Sequence, residues 1–217
     1  MRRRVVAAIL ASSSDVLLPW AGTTRLRSIA HEVCATSCER VAVVLGPSAG
    51  RIATAIQGLP VATLPNVLWS DGVASGTRCA VAWALRSGAD GLLLLDGDQA
   101  LVDRVHVESL LTAFRSTRAP VASYVHGEVG VPAVFGIESF ARLGALTGDR
   151  DAREVLRTTP IVKAIPWPQG SIERAIDTAI DVALETMVAH VDGVSGVPIA
   201  IPDQPSSPVV LAPYCPT

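Results

Sequence analysis

Four consecutive leucines, Leu92-Leu93-Leu94-Leu95, run directly into Asp96-Gly97-Asp98. A segment apolar at every position cannot be a strand with one wet face. It fits a strand buried on both sides, at the centre of a parallel sheet covered by helices. Val5–Ala11 and Val41–Leu45 are two further short apolar runs, the second ending at Gly46-Pro47. Residues 24–39 between them have the composition and length of a crossover helix, which makes the first βαβ unit.

The alternation continues along the chain. Helices are expected at 48–57, 75–86, 105–114, 140–146, 151–156 and 172–190, and strands at 61–64, 91–95, 120–124, 131–135 and 161–165. Gly127 and Gly130 are assigned to the connection between the strands at 120–124 and 131–135. The fold class is therefore α/β: a Rossmann-like, open and mostly parallel sheet with helices on both faces and ligands at the carboxyl ends of its strands. Residues 1–192 make one domain, and 193–217, with six prolines, an extended tail.

Composition supports this reading and excludes others. The chain has 217 residues, 49% hydrophobic but only 4% aromatic, so its core is built from Val, Leu, Ile and Ala. A net charge of −2 gives no basic field, which argues against a nucleic-acid partner. Lys163 is the only lysine. Cys34, Cys38, Cys79 and Cys215 form no CxxC pair and read as reduced thiols of a cytoplasmic protein, the first two as small residues on a buried helix face. The basic start and apolar run at 1–11 fit a buried first strand better than a signal peptide, and no segment is long enough to span a membrane.

Chemistry is concentrated where the leucine strand ends. A carboxylate at that position can hold a metal against a phosphate, and Asp98 is the leading candidate. The competing reading, that Asp96 or Asp98 caps the following turn, has similar weight. Asp177 and Asp181 lie four apart in Ile176-Asp177-Thr178-Ala179-Ile180-Asp181. Asp177 is a second metal-ligand candidate, although an Asp-Thr helix start explains the same residues.

Several segments in register carry a resemblance. They are Leu10-Ala11, Leu17-Leu18-Pro19-Trp20, Val43-Val44-Leu45-Gly46, Asn66-Val67-Leu68-Trp69-Ser70-Asp71-Gly72, Gly97-Asp98-Gln99, Gly127-Glu128-Val129-Gly130-Val131-Pro132, Gly148-Asp149-Arg150-Asp151-Ala152-Arg153 and Ile176-Asp177-Thr178. Together they resemble the molybdenum cofactor cytidylyltransferase branch of the MobA-like NTP transferases, a family with a nucleotide-diphospho-sugar transferase-like fold.

The resemblance implies transfer of a nucleoside monophosphate from CTP or GTP to the terminal phosphate of molybdopterin, with Mg²⁺ and release of pyrophosphate. It implies Asp98 and Asp177 as catalytic metal ligands. It places Leu10, Ala11, Ser12, Ser13, Asn66, Gly72, Ser75 and Arg78 at the nucleotide, and Gly130, Pro132, Asp149 and Arg153 at the acceptor. A molybdoenzyme or maturation factor is the implied partner.

The family's opening loop, Leu-Ala-Ala-Gly-x-Ser-x-Arg-Met-Gly-x-x-Lys, is absent. Only Ser12-Ser13-Ser14-Asp15-Val16 separate Leu10-Ala11 from Leu17-Leu18-Pro19. Ala100, Val131, Asp151 and Ala175 also replace the usual proline, histidine, glycine and acid. Phosphate-clamping residues are each worth factors of roughly 10³ or more. Two readings follow: an enzyme in which Arg25, Arg27 or a partner chain supplies the missing charge, and a catalytically impaired relative that binds nucleotide or pterin or serves as a partner subunit.

Overall fold

The computed structural model describes residues 3–117, 119–168 and 170. Nine strands and six helices alternate through them: β1 Val5–Ala11, β2 Pro19–Trp20, β3 Thr23–Thr24, α1 Arg25–Cys34, β4 Val41–Leu45, α2 Ala49–Ala55, β5 Ala62–Pro65, α3 Val73–Arg86, β6 Gly91–Asp96, α4 Arg104–Ser116, β7 Val121–Val125, β8 Glu128–Gly136, α5 Phe140–Gly144, α6 Ala152–Arg157 and β9 Lys163–Pro166. Seven strands form one sheet in the order β5-β4-β1-β6-β8-β7-β9. The leucine strand β6 occupies its middle, as a fully apolar run requires.

Strands β5, β4, β1 and β6 pair in parallel, and β8 alone is reversed against β6 and β7. The reversal is local. His126 and Gly127, both at positive φ (51° and 87°), make a two-residue turn that pairs Val125 with Glu128. Strand β8 thus begins three residues before the expected 131, and Gly130 lies within it rather than in a connection.

Alternate residues of each strand face opposite layers. Val5, Ala7 and Ile9 of β1 pack with Leu93 and Leu95 of β6 against Leu26 and Ile29 of α1 and Leu110 and Phe114 of α4. Val6, Ala8, Leu92 and Leu94 pack on the other side against α3, α5 and α6 through Ala80, Trp83, Phe140 and Leu156. Each of the four leucines is fully buried, a gain of about 1.5–3 kcal/mol per side chain over leaving it exposed.

Helix α1 starts at the Thr24 cap, whose Oγ1 accepts from Arg27 N at 3.2 Å. It stops at Cys34, short of the expected residue 39. Thr36 Oγ1 donates to the Val33 carbonyl at 2.7 Å, while the Ser37 backbone is taken by Glu108 and Arg115 of α4. These local side-chain bonds outcompete another helical turn. Cys38 therefore lies outside the helix; Cys34, Cys38 and Cys79 are free thiols. The expected helix at 172–190 and the tail at 193–217 lie outside the described residues. Among those residues no helix is long and apolar enough to cross a membrane.

Candidate functional site

Chain order in the sheet reverses beside β1: β4 and β5 extend to one side, and the crossover through α3 delivers β6 to the other. Such a switch point opens a crevice at the carboxyl ends of the strands. Here those ends are stitched together. Gly97 N donates to Leu10 O at 2.9 Å, Gly46 N to Ala11 O at 3.1 Å and Asn66 N to Leu45 O at 3.1 Å.

Two chambers lie above this floor. The first, about 210 Å³, is lined by Leu10, Ala11, Ser12, Asn66, Gly72 and Ser75 among others, with Trp69 and Asp149 in its wall. The second, about 200 Å³, is lined by Asp96, Asp98, Thr77, Val131, Asp151 and Arg153. Leu10, Ser12 and Val73 belong to both linings, so the chambers are neighbours across one wall.

The wall between β5 and α3 is preorganised. Asn66 Nδ2 donates to Ser75 Oγ at 2.8 Å, Ser75 Oγ donates to the Gly72 carbonyl at 2.8 Å, and Asn66 Oδ1 accepts from Leu68 N at 3.2 Å. Gly72 starts α3 at φ 90° and ψ 178°, backbone that suits only glycine. The 147–149 turn presses against it: Ala74 N donates to Gly148 O at 3.0 Å, and a Cβ on Gly72 would stand 2.7 Å from Asp149 Oδ1. Trp69, 51% exposed, also lines this chamber.

The second chamber is acidic. Asp96 ends β6, and its N–H donates to Gln99 Oε1 at 3.0 Å; Gln99 Nε2 in turn donates to Val131 O at 3.0 Å, joining β6 to β8. Burial pushes the Asp96 carboxyl up to about 7, with Asp98 and Asp151 adding to the rise and Arg153 opposing it. Arg153 lies 3.9 Å from Asp96 Oδ2 and 3.6 Å from Asp151 Oδ2. Asp151 also caps α6, its Oδ1 accepting from Arg153 N at 2.9 Å.

Of the residues expected at a nucleotide, Leu10, Ala11, Ser12, Asn66, Gly72 and Ser75 come together in the first chamber, while Asp98 and Arg153 meet in the second. Asp149, expected at the acceptor, lines the first. Ser13 and Arg78 line neither chamber. Ser13 caps a short 3-10 turn by accepting from Asp15 N at 3.2 Å, and Arg78 donates to the Leu146 carbonyl at 2.8 Å. Gly130 stands beside Arg153 on β8, and the Pro132 carbonyl accepts from Ser123 Oγ at 2.7 Å. Asp177 lies outside the described residues.

Neither arginine considered as a substitute for the missing loop is among the lining residues of the two chambers. Arg27 donates to the carbonyls of Ala55 and Gln57, both at 2.9 Å, and Arg25 is buried at the start of α1. Lys163 begins the edge strand β9. Thr77 lines the site outside every quoted motif, while Asp96, weighed as a turn cap, and Trp69 and Asp151, inside quoted motifs, line it without having been singled out.

The donor set suits a hard divalent cation held by one or two carboxylates and completed by substrate oxygens. Asp98 supplies such a group. Among the described residues, no three or more His, Cys, Asp or Glu are grouped to hold a metal by themselves.

The model of the MobA-like NTP transferase domain matches residues 14–164. The bifunctional protein GlmU of Paramagnetospirillum magneticum is 28% identical over 153 residues, which is 69% of this chain and 33% of that protein; the chain thus spans about a third of its length. Rv0371c of Mycobacterium tuberculosis H37Rv, solved with manganese, superposes with a TM-score of 0.64 at 21% identity over 77% of this chain and 89% of that one. CMP:2-keto-3-deoxy-manno-octonic acid synthetase complexed with CTP gives 0.58 at 13% identity, over 77% and 90%. These structural likenesses concern the fold.

Proposed function

Since the chain belongs to the MobA-like NTP transferase domain family, we propose that it is a nucleotidyltransferase that holds the nucleoside of CTP or GTP in the first chamber and its phosphates across the shared wall. The observation that carries this reading is the adjacency of the two chambers at the switch point, six nucleotide candidates in one and Asp98 in the other. A neighbour bound to CTP and another bound to manganese support it.

In this reading Trp69 and the Asn66–Ser75 pair fix the base and ribose, and the wall of Leu10, Ser12 and Val73 orients the α-phosphate. Positioning of this kind is the protein's main contribution to phosphoryl chemistry. Asp98, with Asp177 as the second ligand that the family resemblance implies, would hold Mg²⁺, which when bound supplies charge neutralisation at the phosphates. The acceptor enters from the side of Gly130 and Pro132. Its terminal phosphate oxygen attacks the α-phosphorus as the bond to the bridging oxygen breaks and pyrophosphate leaves. Molybdopterin is the acceptor that the sequence resemblance nominates, and the cytoplasm the compartment.

One observation favours a second reading, a nucleotide- or pterin-binding subunit without turnover. Among the described residues, four carboxylates, Asp96, Asp98, Asp149 and Asp151, line the chambers against a single arginine. Pyrophosphate release from CTP or GTP with Mg²⁺ and molybdopterin separates the two. Release that requires Asp98 is the result expected of the enzyme; nucleotide binding with no release identifies the binding subunit.

A further inference from the structure

Among the described residues, Arg153 is the sole lysine or arginine lining either chamber. Its side chain is 51% exposed, and its ion pairs at 3.6 and 3.9 Å exceed hydrogen-bond length. Loose, partly exposed pairs of this kind hold a side chain weakly. A phosphate, which accepts two parallel N–H bonds from a guanidinium, outcompetes them.

The same chamber contains a buried group without a partner. Thr77 is 1% exposed, and its Oγ1 makes no hydrogen bond. A buried hydroxyl left unsatisfied beside an underused guanidinium calls for a polar ligand. The acidic side chains around them exclude a bare anion, so a phosphate enters with its divalent cation, which Asp98 is placed to meet.

We propose that Arg153 and Thr77 together form a phosphate-receiving subsite that takes over the neutralising task of the missing N-terminal loop. This rests on the nucleotide-site reading above. The phosphate comes from one of two sources, the β- and γ-groups of the nucleotide or the terminal group of the acceptor. Asp151 restrains Arg153 until that phosphate arrives.

The test is calorimetric titration with Mg²⁺ of CMP, CTP, GMP and GTP into the wild type, Arg153→Gln, Arg153→Lys and Thr77→Val, followed by inorganic phosphate added to protein saturated with CTP or GTP. The wild type should prefer the triphosphate to the monophosphate, and Arg153→Gln should shrink that preference roughly tenfold or more, with Arg153→Lys keeping part of it and Thr77→Val intermediate. If the preference holds but Arg153→Gln abolishes phosphate binding to the nucleotide complex, the phosphate is the acceptor's. Asp151→Asn, which keeps the helix cap while removing the charge, should tighten whichever phosphate is bound.

Unchanged preference and unchanged phosphate binding in Arg153→Gln overturn the proposal while leaving the nucleotide site intact. Failure of the wild type to bind any of the four nucleotides overturns the nucleotide-site reading and this proposal with it.

Discussion

Gly72 and Gly148 meet backbone to backbone: the Gly148 carbonyl, which accepts from Ala74 N at 3.0 Å, fills the space a Cβ on Gly72 would need. The contact closes the first chamber by fixing the start of α3 against the 147–149 turn. Gly72→Ala should therefore cost about 2 kcal/mol, from the backbone at φ 90° alone, and weaken CTP or GTP binding. Urea unfolding with calorimetry checks both; an unaltered midpoint would show that the turn yields freely.

The Asn66–Ser75 hydrogen bond ties the end of β5 to α3. Asn66→Ala should lower stability by about 1 kcal/mol and nucleotide affinity by roughly tenfold, because the chamber wall loses its fixed geometry. Comparison with Ser75→Ala in the same titration tests whether the pair acts as a unit, in which case the two losses are not additive.

Arg27 gives the opposite pattern. Its guanidinium clasps the Ala55 and Gln57 carbonyls at the end of α2. Arg27→Ala should cost about 1–2 kcal/mol of stability and leave nucleotide affinity unchanged. A selective loss of CTP or GTP affinity would return Arg27 to the site.

His106 makes stability depend on pH. It is 8% exposed, stacks on Trp167 with ring centroids 5.3 Å apart, and lies 2.7 Å from Ser123 Oγ. The Ser123 hydroxyl donates its proton to Pro132 O, so the imidazole donates through Nε2. Burial lowers its pKa from 6.5 to about 4, against the opposing charge of Asp103. As pH falls the unfolded chain takes up the proton first. The His106 contribution is thus fully present above about 6.5 and is lost by about 4, a change of about 3 kcal/mol. Urea midpoints across that window should show the slope in the wild type and a flatter profile in His106→Asn; parallel profiles would contradict this assignment.

The sequence revealed most where one physical effect dominates. The leucine strand could be placed at the sheet centre because nothing else accommodates a run apolar on both faces, and the place of Asp98 in the second chamber's lining follows from where that strand ends. The reversal of β8 was not legible, because the turn that causes it puts a histidine at positive φ beside Gly127, half of the usual signal. Arg78 and Ser13 were selected by their place in motifs, but a long guanidinium can reach a distant carbonyl and a serine can cap a turn, and those partners are far away or local in ways spacing does not encode. Asp151 stood out in the sequence as a replacement of glycine within the 148–153 segment, whereas in the fold it both caps α6 and pairs with Arg153.

The central claim is that the switch-point cleft is a metal-dependent nucleotide site, and isothermal titration of the wild type and Asp98→Ala with CTP and GTP, with and without Mg²⁺, tests it most directly. Binding of one nucleotide that needs Mg²⁺ and is lost in Asp98→Ala is the predicted result. Absence of binding by either nucleotide, or binding indifferent to both Mg²⁺ and Asp98, would contradict the account.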